Sequence, residues 1–169
     1  MSNINENGND NNNDNFFMQA ALREAAKAAK IGEVPVGAVI VKNGIIIAKG
    51  RNRREGFGKP VGRKPNALHH AEIEAIGKAC KKTNAWRLTG CTIYITLEPC
   101  PMCSGAIINS RIDRVVFGTA DQKAGCCESV LNLFEHPFNH KPSITPGICE
   151  NECAAILSSF FKSLREKKK

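Results

Sequence analysis

The sequence predicts an α/β domain in which a mixed central sheet is flanked by helices. Two apolar, β-branched runs meet at Asn43-Gly44, the dipeptide best suited to a type I′ hairpin turn. Further short strands alternate with segments whose apolar residues recur at helical spacing. Crossover helices of that kind imply parallel strand neighbours once the initial hairpin is passed.

Residues 1–15 are almost entirely Asn, Asp, Glu, Ser and Gly, too polar to offset chain entropy by burial, and are expected to form a disordered Asn-rich tail before a single domain over 16–169. From Phe16 the spacing of Phe17, Ala21, Ala25 and Ala28 predicts a first helix, with Gly32 as its stop. The hairpin VPVGAVIVKNGIIIAKG follows, then a loop rich in Gly, Pro and basic residues from Arg51 to His69. A second helix is expected to open at or near His70, with Ile73, Ile76 and Cys80 on one face.

CTIYITLE reads as a strand, PCPMCSGAIINS as a helix with Pro101 in its first turn, and RVVFGT as another strand. A small helix around Val130 to Phe134 is predicted next. The chain closes with a docked helix whose apolar stripe is Cys153, Leu157, Phe160, Phe161 and Leu164. At 169 residues the chain has room for one sizeable core.

Lys and Arg outnumber Asp and Glu by 24 to 16, a net charge of +8 that suits a polyanionic partner. Arg51, Arg53, Arg54, Lys59, Arg63 and Lys64 cluster in the loop before His70, and Lys162, Arg165, Lys167, Lys168 and Lys169 crowd the end. Either group reads as an RNA-facing surface or as an ordinary solvated face. No secretory signal and no long uncharged apolar run stand out, so a soluble, cytoplasmic protein with reduced thiols and no membrane partner is expected. Cys80, Cys91, Cys149 and Cys153 fall at apolar positions and read as core, whereas Cys126 and Cys127 fall in a loop and read as candidates for reactive thiols.

The chemistry concentrates in His70-Ala71-Glu72 and Pro99-Cys100-Pro101-Met102-Cys103, with His70 and Cys100 30 residues apart. Cys100 and Cys103 lie on one face at a helix start, where unpaired amides and the helix dipole favour thiolates. With one imidazole they make three protein ligands, which leaves a fourth zinc position for water, the arrangement of catalytic rather than structural zinc. Glu72, close to the metal but not on it, can carry protons for a hydrolysis. His69 stands beside His70, but the His-x-Glu register selects His70. Taken singly, His-x-Glu is a common surface pair and Cys-x-x-Cys a structural half-site or redox pair.

Together, His-x-Glu followed by Pro-Cys-x-x-Cys matches the signature of the zinc nucleobase deaminases, so this step is a resemblance and not a deduction. The resemblance extends further. VPVGAVIV, Asn52, HAEIEAI, YITLEPCPMCSGAIINSRIDRVVFG, Asp121 with Lys123, Asn139-His140 and the ECAAILSSFF helix are similar, in order and spacing, to the bacterial tRNA-specific adenosine deaminases. It covers nearly the whole chain from Phe16. It implies a three-layer cytidine deaminase-like fold, one zinc per subunit on His70, Cys100 and Cys103, Glu72 as proton shuttle, and Asn52 on a flipped adenine. Val36, Ala71, Asp121, Asn139 and His140 resemble positions that shape the base pocket or touch the anticodon loop. Asn139-His140 also reads as a loop-capping pair.

The implied activity is hydrolysis of adenosine to inosine at the wobble position of a tRNA anticodon, that of an arginine tRNA, by a homodimer. A base cannot react while stacked, so an unpaired loop with the base splayed out is the expected substrate. Two departures stand out: the loop from Arg53 to Asn66 is longer than is usual in the family, and Cys126-Cys127-Glu128 replaces a small, glycine-containing stretch. The rival readings are a cytosine or guanine deaminase acting on free bases or nucleosides, and a non-catalytic zinc-stabilised RNA-binding subunit. Glu72 argues against the latter, which has no use for a shuttle carboxylate.

Overall fold

Asn43 and Gly44 take φ of 51° and 72°, the left-handed pair a type I′ turn requires, so the hairpin forms where the sequence places it. The computed structural model describes residues 6–55 and 64–167. Its elements run α1 Glu6–Lys30, β1 Gly37–Lys42, β2 Ile45–Arg51, α2 Ala71–Thr83, β3 Cys91–Leu97, α3 Pro101–Ser110, β4 Arg114–Thr119, a short 3-10 turn Leu133–Glu135, β5 Ser143–Thr145 and α4 Glu150–Glu166.

The strands form one sheet in the order β2-β1-β3-β4-β5. β1 pairs antiparallel with both β2 and β3, while β3–β4 and β4–β5 are parallel. Having β1 as a common antiparallel neighbour makes β2 and β3 run the same way, which is what the α2 crossover demands. Alternation along the strands then sorts side chains to the two faces. Ala38, Ile40, Ile93, Ile95, Val115 and Phe117 pack with Ala71, Ala75, Ala79 and Ile107 of α2 and α3. Val39, Val41, Tyr94 and Val116 pack on the other side with Phe17, Met18 and Ala21 of α1 and Cys153 of α4. The result is the three-layer α/β arrangement expected.

Three expectations are corrected, and one strand is added to those expected. First, the tail was placed over 1–15, yet α1 already spans Glu6–Lys30. Asp14 is only 2% exposed. Its carboxylate accepts two bonds from the Arg114 guanidinium, at 2.9 and 2.7 Å, and one from the Tyr94 hydroxyl at 2.8 Å. A tertiary ion pair of this kind is invisible to composition. Residues 1–5 lie outside the described residues.

Second, the helix expected around Val130 to Phe134 is the 3-10 turn Leu133–Glu135. Third, β5 escaped notice because at three residues it is too short to show alternation. Fourth, Cys126 and Cys127 are buried, and burial pushes both thiols up, so neither is a reactive loop thiol. All eight cysteines are free. Cys91 and Cys153 are buried as expected, while Cys80 and Cys149 are half-buried.

The C-terminal helix docks through its first half only, for Phe161 and Leu164 are 43% and 37% exposed. Among the described residues no helix is long and apolar enough to cross a membrane.

Candidate active site

Gly50 sits where β2 meets the first turn of α2, and a Cβ there would collide with the Ala71 carbonyl. Its absence lets α2 start hard against the sheet, with His70 as extended N-cap at φ −74° and ψ 155°. Cys100 caps α3 in the same way at φ −75° and ψ 173°, with Pro101 opening the helix. Two helix starts therefore face one another.

His70 Nδ1 lies 3.7 Å from Cys100 Sγ and 3.6 Å from Cys103 Sγ. A tetrahedral zinc with Zn–S of ~2.3 Å and Zn–N of ~2.0 Å would hold N and S about 3.5 Å apart, close to both distances. The donor set thus fits the ion in both element type and spacing. Among the described residues this is the one group of His, Cys, Asp and Glu whose ligand atoms come within 4.8 Å of one another. The hydrogen bond with Cys103 and the neighbouring His70 outweigh burial and hold the Cys100 thiol down to about 4, in the thiolate form a metal requires.

Glu72, on the first turn of α2, is 4% exposed and its Oε2 has no hydrogen-bond partner. Burial pushes its carboxyl above the usual carboxylate range. An orphaned buried oxygen beside two thiols and an imidazole is the mark of a group awaiting a ligand.

A cavity of about 580 Å³ opens over this cluster. Val34, Val36, Asn52, Arg54, His70, Glu72, Cys100 and Asp121 are among the residues that line it. Asn52 Oδ1 accepts the Ala71 N–H at 3.0 Å, which fixes the amide so that its NH₂ is the group left to donate. Ala71 itself is fully buried. Asp121 Oδ1 accepts from the N–H groups of Lys123 and Ala124, so it also caps its own loop.

Val36, Asn52, His70, Glu72, Cys100 and Asp121 are thus brought to one cavity, with Cys103 and Ala71 directly behind it. Asn139 and His140 are not among the residues lining it. Asn139 Oδ1 accepts from Arg111 at 2.8 Å, and His140 Nε2 donates to the Ile112 carbonyl at 2.6 Å, as a loop-capping pair would. His69 meets Asn66 at 3.1 Å and Glu74 at 3.8 Å and is no part of the ligand set. Of the basic residues, Arg54 and Lys123 line the cavity, Arg51 bonds Glu24 at 2.9 Å, and Lys59, Arg63, Lys168 and Lys169 lie outside the described residues.

The reading from sequence missed Glu98, taken only as the end of a strand. Its signal was a charge closing an apolar strand immediately before Pro99-Cys100. Burial works against ionisation of Glu98, but hydrogen bonds from Ser129 and from the amides of Asp121, Glu128 and Ser129 win and hold its carboxyl below the usual range.

The chain resembles known deaminases along nearly its whole length. The MafB19-like deaminase family model matches residues 11–165. The tRNA-specific adenosine deaminase of Bacillus subtilis (strain 168) is 48% identical over 157 residues, 92% of this chain and 93% of that protein. That of Aquifex aeolicus (strain VF5) is 45% identical over 151 residues, 89% of this chain and 95% of that protein. A solved structure from work on A-to-I editing by tRNA:A34 deaminases superposes with a TM-score of 0.77 at 40% identity, covering 84% of this chain and 99% of that one. A Thermotoga maritima diaminohydroxyphosphoribosylaminopyrimidine deaminase/reductase gives 0.67 at 33% identity, covering 93% of this chain and 42% of that one. With a family model along nearly its whole length, and relatives this similar over nearly theirs, the chain belongs to the MafB19-like deaminases, grouped with the tRNA-specific adenosine deaminases, and is a hydrolase of that class.

Proposed function

We propose that this chain hydrolyses adenosine to inosine, with release of ammonia, at the wobble position of a tRNA anticodon, that of an arginine tRNA. The observation that carries the reading is the buried, unpartnered Oε2 of Glu72 beside a His70, Cys100 and Cys103 cluster of zinc spacing, at the edge of a cavity of about 580 Å³. The names of the relatives support the substrate.

His70 Nδ1, Cys100 Sγ and Cys103 Sγ would hold one zinc ion. Bound there, zinc supplies the Lewis acidity that brings water to a nucleophilic state near neutral pH. Glu72 takes the proton of the attacking water, passes it to the ring nitrogen next to C6, and supplies the departing amine with a proton to leave as ammonia. Its burial keeps the carboxyl able to hold a proton in that cycle. Asn52, oriented by the Ala71 N–H, donates to a ring nitrogen of the base, while Val36 gives an apolar contact to its face.

A base cannot react while stacked, so it would be taken from an unpaired loop and turned into the cavity. Arg54 and Lys123 at its edge suit the phosphates on either side. The same reading carries a homodimer that shares one RNA between subunits, with Asn139 and His140 reaching RNA outside this subunit's own cavity, and a cytoplasmic setting.

The test incubates zinc-loaded protein with an arginine tRNA carrying adenosine at the wobble position, and separately with free adenosine, cytidine and guanine. Inosine formed only at that tRNA position is the expected result. Turnover of a free base or nucleoside with no tRNA product would replace the reading with a metabolic deaminase.

A further inference from the structure

Glu98 lies between β3 and the Cys100 ligand, and its side chain is turned away from solvent, at 2% exposure. Its Oε1 accepts from three successive amides, those of Cys127, Glu128 and Ser129, at 2.9, 2.8 and 3.0 Å. Its Oε2 accepts the Asp121 N–H at 3.0 Å and the Ser129 hydroxyl. Consecutive amides converging on one anionic oxygen form a nest of the kind that binds free anions elsewhere. Here the anion is a side chain, and what closes around it is the whole connection that leaves β4.

That connection is one wall of the cavity, through Ala120, Asp121, Gln122, Lys123 and Ala124. Little apolar packing holds the outer part of it, since Gln122, Lys123 and Glu128 are exposed. Other ties include the Cys126 N–H to the Pro99 carbonyl at 2.9 Å, the Leu133 N–H to the Cys126 carbonyl at 3.0 Å and the buried Cys126 and Cys127 side chains. Gly125 completes the fit, because a Cβ there would run into the Glu98 carboxylate and the Asp121 carbonyl.

We propose that Glu98 is a positioning residue for the reaction: it clamps the 121–129 loop to the segment that carries Cys100, so that the wall contacting the substrate and the metal centre keep a fixed spacing. Four of its five partners are backbone amides. The clamp therefore acts whatever side chains stand at 126–128. The geometry stands without the proposed substrate, but the kinetic part of the test rests on that reading.

Glu98→Gln keeps the shape but turns one oxygen into an NH₂ that must face an N–H donor. Gly125→Ala keeps the carboxylate and pushes the loop off it. Full-length, zinc-loaded variants are compared on an anticodon stem-loop with adenosine at the wobble position, alongside hydrogen exchange of the 121–129 amides. Glu98→Gln is expected to raise KM at least about tenfold with kcat within about threefold and zinc still bound. Exchange at 121–129 should quicken at least about tenfold while that of β1 and β3 stays unchanged.

Gly125→Ala should give the same pattern, and the double variant should be no worse than the more affected single, since both act through one loop. If Glu98→Gln does not fold, Gly125→Ala and Ser129→Ala carry the test. Unchanged exchange at 121–129, or a loss confined to kcat with KM unaltered, would overturn the proposal. If the native protein leaves the RNA untouched while exchange responds as described, the function reading falls and the clamp stands.

Discussion

Asp14→Ala gives the sharpest test of the architecture, because the composition of residues 1–15 predicts no effect at all. The change removes the acceptor for the buried Tyr94 hydroxyl and for both Arg114 bonds. A hydrogen bond from a buried hydroxyl to a carboxylate is worth ~1.5–3 kcal/mol. The Arg114 side chain is 31% exposed and also bonds Thr145, so its share is discounted to roughly 1 kcal/mol or less. The sum is about 3 kcal/mol, and at ~2–4 °C per kcal/mol for a chain of this size, Tm should fall by about 6–12 °C. Thermal unfolding followed by circular dichroism reads this directly, and Asp14→Asn should fall in between. A Tm for Asp14→Ala within about 2 °C of the native value would mean that the segment before Phe16 does not dock, and the tail boundary expected from composition would be restored.

Glu72→Gln should retain zinc by metal analysis yet lose turnover by roughly 10²- to 10⁴-fold, since the amide cannot carry the proton. Asn52→Asp keeps the oxygen that meets the Ala71 N–H but replaces the donor with an acceptor, so kcat/KM should fall by ~10- to 100-fold with zinc content unchanged. Prolonged chelation should abolish activity and lower Tm, and zinc should restore both, as measured by ammonia release and melting. Burial works against ionisation of Glu24, but its bonds to Lys27 and Arg51 win and hold its carboxyl below the ordinary value of 4.5. Its stabilising contribution is therefore complete above that value and is lost as pH falls through the lower, folded one. Denaturant midpoints measured down the acid limb should show Glu24→Gln less acid-sensitive than the native chain.

The candidate metal cluster of His70, Cys100 and Cys103 was legible because its residues sit at helix starts with rigid local spacing. Cys100 and Cys103 are one helical turn apart, and His70 caps the helix whose first turn carries Glu72. The hairpin was legible for a similar reason, since Asn43-Gly44 encodes its own turn. What escaped depends on partners distant in sequence. Asp14 meets Arg114 across 100 residues, and Glu98 gathers amides some 30 residues on, which no composition or periodicity encodes. The burial of Cys126 and Cys127 escaped for the same reason, because a loop wound around a carboxylate has no pattern of its own. Asn139 and His140 matched a pattern by position, while their side chains face Arg111 and the Ile112 carbonyl within this subunit.

The sheet order has a consequence for how such a protein can diversify. β2, β3 and β4 all point the same way, so the segments that leave them emerge at one edge, each with a different duty. Those after β2 and β3 lead into the helices at whose starts His70, Glu72, Cys100 and Cys103 stand, while Asn52, Arg54 and the 120–124 segment line the cavity beside them. Exchanges in those lining segments would change the shape of the cavity without moving His70, Cys100 or Cys103. Chemistry and choice of substrate are thereby inherited on separate stretches of chain, and one scaffold can be retargeted by editing only its rim.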